Sequence, residues 1–70
     1  MVPLSMVRPG ETVTIQRISG RDSIRQHLVD LGFVMDGRIT VVSQIGGNLI
    51  LQVKDSRIAL DRTMANRIMV

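Results

Sequence analysis

The chain holds one histidine and no cysteine, so metal chemistry would have to run through His27. The only partner at ligand-like spacing is Asp30, three residues further on and on the same side of a helix. Two such ligands fall short of the three or four converging donors that a zinc or ferrous centre takes. The pair reads as polar residues bordering a core, and neither a metal nor a cofactor is expected. A serine, His27 and an aspartate could be drawn as a triad, but no GxSxG elbow is present. A chain this short also lacks the depth for a pocket that excludes water. The expectation is a protein that is not an enzyme. Gly46 and Gly47 in "IGGN" could cradle a phosphate only if a helix N-terminus came next. The residues after them, "NLILQV", carry a strand pattern instead, so the pair reads as a hairpin turn.

Charge is the next candidate. Nine Arg and Lys stand against six Asp and Glu, for a net charge of +3, and eight of the nine cations are Arg. Arg21 and Arg25 lie four apart near a helix start, where they repel one another and oppose the dipole. They form either a solvated face or a basic patch awaiting an acidic partner. Single-strand nucleic-acid binders stack bases on aromatic platforms. This chain has no Tyr, no Trp and one Phe, so only non-specific phosphate attraction would remain. Apolar surface is the last candidate. Val29 points away from the predicted core face and should be exposed, and five methionines supply adaptable apolar side chains.

These residues sit on a sequence rich in β-branched runs. "VRPGETVTIQRI" opens with a turn at Pro9 and Gly10, then alternates through Val13, Ile15 and Ile18 as one strand with an apolar face. Ser19, Asp22 and Ser23 are possible helix caps, and Ser23 with Gln26 fits a capping box. Ile24, Leu28 and Leu31 recur at i, i+4 and i+7, which predicts a helix of roughly ten residues with one buried stripe. Gly32 stands where a left-handed C-terminal cap is wanted. In a Schellman ending, Phe33 would then close onto Leu28 and clamp the helix to the sheet.

A turn over Met35 to Gly37 should feed a second strand, "RITVVSQ". A third alternates through Leu49, Leu51 and Val53, and a fourth carries Ile58 and Leu60. Asp61 can cap one helical turn over "RTMAN", and "RIMV" closes the chain as a strand. "VRPGETVTI" and "VMDGRITVV" both run from a turn glycine into an alternating strand, which reads as shared hairpin chemistry and not as a repeat. The fold class is mainly β: about five short strands, one helix after the first strand and a helical turn before the last. Closing such a sheet into a small barrel would remove its exposed edges.

Residues 1–70 make a single domain, because a chain of this length has no room for a second core. No apolar run nears the roughly 20 residues of a membrane helix, and "MVPLSMV" lacks the pattern of a signal peptide. A cytoplasmic location is expected.

In order, Pro9 and Gly10, the helix ending Leu31-Gly32-Phe33, the turn glycine Gly37, the hairpin Gly46-Gly47 and "IAL" at Ile58 to Leu60 resemble the FeoA family, small accessory proteins of bacterial ferrous iron uptake. The resemblance runs through nearly the whole chain. The family usually places proline before the turn glycine, where this chain has Asp36, a residue that also suits tight turns. The resemblance implies an SH3-like barrel and a partner, the cytosolic portion of the FeoB-type ferrous iron transporter. It places the chain in transition-metal handling without requiring that it bind iron, and brings it to the membrane only through that partner. The same domain ends iron-dependent repressors, so the alternative is a regulatory or nucleic-acid-binding small barrel. For a docking role, the candidate contact residues are Arg21, Arg25 and Val29 on the helix and Gly47, Asn48 and Leu49 at the hairpin.

Overall fold

The computed structural model describes all of residues 1–70. After a 3-10 turn at Leu4–Met6, the elements run β1 (Thr12–Thr14), β2 (Arg17–Ile18), α1 (Ser23–Asp30), β3 (Arg38–Ile45), β4 (Asn48–Val53), β5 (Ser56–Asp61), α2 (Arg62–Ala65) and β6 (Ile68–Met69). β1, β3, β4 and β5 form an antiparallel sheet in that order, and β2 pairs with β6 in a second, two-stranded sheet.

The expected first strand is therefore two strands in different sheets. Ile15 N–H still donates across to Gly37 at 2.8 Å, but Gln16 N–H donates to Met69 at 2.7 Å. The chain changes partner between these two residues, which lets Ile15 and Ile18 both face the core. A bulge between Val41 and Ser43 interrupts the β3–β4 register and bends the longest strand, as curvature around a small core requires. Reciprocal bonds between Val2 and Val70, at 2.9 and 2.8 Å, tie the two ends of the chain together.

One apolar core gathers Leu4, Val7, Ile15, Ile18, Leu28, Phe33, Ile39, Val41, Leu49, Leu51, Val53, Leu60, Ala65 and Ile68, and no polar or charged residue is buried with them. β4 buries Leu49, Leu51 and Val53 on one face as its alternation predicts. Leu4, Val7 and Ala65 join the core from segments with no strand period to announce them.

α1 spans eight residues, shorter than the roughly ten expected. Its N-cap is Asp22, whose carboxylate accepts from Arg25 N–H at 3.3 Å. Ser23 is the first helical residue, so the Ser23–Gln26 capping box does not form; Gln26 Nε2 donates forward to Asp30 at 2.9 Å. Of the predicted stripe Leu28 is fully buried, while Ile24 and Leu31 are half-buried against the core. The helix ends as predicted. Gly32 has φ +107°, Phe33 N–H donates to Leu28 O at 3.1 Å and Gly32 N–H to Val29 O at 3.0 Å, the two bonds of a Schellman motif.

The turns hold one correction. Gly37 N–H donates to Val34 O at 3.0 Å, so the four-residue turn is Val34 to Gly37. Its left-handed residue is Asp36, with φ +66°, and not the glycine. The Gly46-Gly47 hairpin has φ +60° at the first glycine only, a type II′ turn. Asp61 caps α2 as expected, accepting from Met64 N–H at 2.8 Å.

Candidate functional site

The most deeply indented surface is a groove beside the start of α1, lined by Arg17, Ile18, Gly20, Arg21, Asp22, Arg25, Gln26 and Met35. Three features of the fold bring these residues together. The change of sheet after Ile15 turns Arg17 outward on β2, the loop through Gly20 carries Arg21 round to the helix, and the Val34–Gly37 turn sets Met35 on the rim, 59% exposed.

Its electrostatics are lopsided. Asp22 is the only carboxylate in the lining, and it is already engaged: Arg67 Nη1 lies 2.7 Å from Oδ1, the one salt bridge in the structure, and the same oxygen caps α1. Arg25 is half-buried with its Nε donating to Ile18 O at 3.3 Å. Arg17, Arg21 and Arg25 thus frame the groove with no carboxylate of their own.

The hydrogen bond from Arg67 holds the Asp22 carboxyl below its usual range. Some desolvation opposes it, and the Arg25 N–H and the charge of Arg67 reinforce it. A carboxylate with a lower pKa in the folded chain contributes stability that is present above its unfolded pKa and lost as pH falls through the folded one. Asn also caps helices well, so Asp22→Asn isolates the charge. Below about pH 4 the melting temperature of the unmodified chain should drop more steeply than that of Asp22→Asn. Parallel acid limbs would show that the pair contributes nothing.

The other expected sites are less concentrated. His27 and Asp30 are both exposed beside a second, shallower groove with Ser23, Ile24 and Gln26, and nowhere do three His, Cys, Asp or Glu side chains converge. Of the six candidate contact residues, Arg21, Gly47 and Asn48 are exposed and Arg25 is partly so. Val29 is half-buried and packed against the core, not free. Leu49 is 1% exposed, a core residue that no partner can reach. The hairpin shares no groove with the arginines; Gly47 O instead accepts from Arg62 N–H at 2.9 Å, fastening the hairpin to α2. Sequence reasoning overlooked Arg17 and Arg67. The signal available for Arg17 was the density of "RISGRDSIR", three arginines and one acid in nine residues.

Comparison with known proteins places this geometry among relatives. The FeoA domain model matches residues 2–70. A candidate Fe(2+) transport protein A of Methanocaldococcus jannaschii is 33% identical over 70 residues, covering 100% of this chain and 85% of the relative. The crystal structure of an iron uptake regulatory protein, FeoA, is 35% identical with a TM-score of 0.89, covering 99% of this chain and 92% of that one. Stenotrophomonas maltophilia FeoA, solved with zinc and described as a prokaryotic SH3 domain protein and a candidate ferrous iron transport activating factor, has a TM-score of 0.89 at 26% identity, over 100% of this chain and 89% of that one. The expected SH3-like architecture is thus met, with two helices and with one strand divided between sheets.

Proposed function

From the premise that this chain belongs to the FeoA family, we propose that it is an accessory protein of ferrous iron uptake that acts by contact with a FeoB-type transporter. The observation that carries the reading is the arginine-framed groove, open and with one carboxylate, already shared with Arg67, against three arginines, in a chain of that family. A surface of this kind suits docking: unpaired guanidinium groups steer and orient an oppositely charged partner. No helix is long and apolar enough to cross a membrane, so in this reading the membrane work belongs to the partner. The chain carries no reaction of its own and acts in the cytoplasm, where it reaches the membrane through the transporter's cytosolic portion. Iron is the transporter's cargo.

The test is association of the unmodified chain with detergent-solubilised membranes that contain or lack the transporter. Retention of the chain only where the transporter is present is the expected result. Equal retention from both membranes, or none from either, would sink the reading.

A further inference from the structure

The groove's chemistry allows its occupant to be described. We infer that the groove between β2 and α1 binds an acidic peptide segment, two or more carboxylates with an apolar side chain among them. This deepens the reading above by naming the chemistry of the docking segment, and it depends on that reading only for whose segment it is.

Three observations on one surface lead there. Arg17, Arg21 and Arg25 line the same groove, where like charges repel unless carboxylates come between them. The one carboxylate in the lining, Asp22, is shared with Arg67 and the helix cap through Oδ1, and one carboxylate cannot balance three guanidinium groups. Guanidinium groups pair with carboxylates through two parallel hydrogen bonds, which fixes orientation as well as charge. Met35 stands 59% exposed on the rim, where a flexible thioether adapts to an apolar side chain. A nucleic-acid strand fits less well: the only aromatic residue, Phe33, is fully buried, so this surface offers no aromatic ring on which successive bases stack.

The probe is a capped peptide Glu-Asp-Leu-Glu-Asp, titrated into the isotope-labelled chain and followed through backbone amide shifts at low salt. Saturable shifts should concentrate at Arg17, Ile18, Gly20, Arg21, Arg25 and Met35 and weaken as salt is raised. Arg21→Glu, an exposed change, should weaken binding about tenfold, roughly the loss of one charge-assisted contact. Arg57→Glu serves as the control for net charge, since Arg57 is exposed on β5, outside the groove, with its Nε on Gln52 at 3.2 Å; it should leave binding unchanged. Both variants should keep the dispersed spectrum of the folded chain.

Any of four results overturns the inference: equal shifts with the peptide Gln-Asn-Leu-Gln-Asn, shifts on another face, equal weakening by Arg57→Glu, or tighter binding of a thymidine oligonucleotide at the same residues. The transporter is absent from this titration. Failure here with intact transporter association would remove the acidic peptide as the groove's occupant and leave docking on the transporter standing.

Discussion

Phe33→Ala should cost about 3 to 5 kcal/mol, the range for truncating a buried aromatic. Phe33 is the largest fully buried side chain and has no exposed atom to recover solvation when it is cut back. It also occupies the position after Gly32, where its N–H closes the α1 helix on Leu28 O at 3.1 Å. The ring therefore stands where helix end and sheet share one core, and the void left by its loss cannot be filled from one side alone. Small domains hold only about 5 to 15 kcal/mol in total, and those of this size sit at the low end. Urea unfolding followed by far-ultraviolet circular dichroism measures the effect without relying on the lost ring. Phe33→Leu should cost clearly less, because it keeps most of the buried volume. A loss below about 1.5 kcal/mol for Phe33→Ala would mean that the helix end is held elsewhere.

That helix end was legible in the sequence because its causes lie within six residues: a leucine, a glycine free to take φ +107° and an apolar residue behind it. Strand alternation in β4 and the Asp61 cap were legible for the same reason. The change of sheet after Ile15 was not, because it is decided by the main chain of Gly37 and Met69, which are remote in sequence. Distance also hid the groove, since Arg17 reaches it from a strand, Arg21 from a loop, Met35 from a turn, and Arg25 and Gln26 from the helix. Leu49 is a different kind of error. The alternation that turns Leu51 and Val53 inward turns Leu49 inward too, so its burial was readable and contradicts its use as a contact. Val29 failed on geometry: on an eight-residue helix lying against a small barrel, a flank position still touches the core. Val29→Asp would place a charge against that core, so it reports on folding and not on docking.

The turn at Asp36 supports the second large effect. Arg8 to Glu11 and Val34 to Gly37 are the same device: in each the fourth residue's N–H donates to the first residue's carbonyl, at 3.2 and 3.0 Å, and the third residue has positive φ, Gly10 at +93° and Asp36 at +66°. Both fit a type II turn, which favours proline second and glycine third. Pro9-Gly10 fills those places in the first turn and Met35-Asp36 in the second. The apolar positions agree, since Val13 and Ile15 follow Gly10 by three and five, as Ile39 and Val41 follow Asp36. A family proline thus belongs at Met35, one residue earlier than the glycine of "MDG" suggested. Asp36→Pro should cost about 3 kcal/mol or more: the ring forbids positive φ, and the N–H that donates to Ile15 O at 2.9 Å is lost. Gly37 is required for a different reason, since a Cβ there would lie 2.9 Å from Val34 O. Met35→Pro should be tolerated, because Met35 N–H makes no backbone hydrogen bond, and Asp36→Gly should add about 0.5 to 1 kcal/mol by relieving the left-handed strain. Urea midpoints for the three variants decide the matter together. A stable Asp36→Pro beside a damaged Met35→Pro would reverse the assignment and return the turn to its glycine.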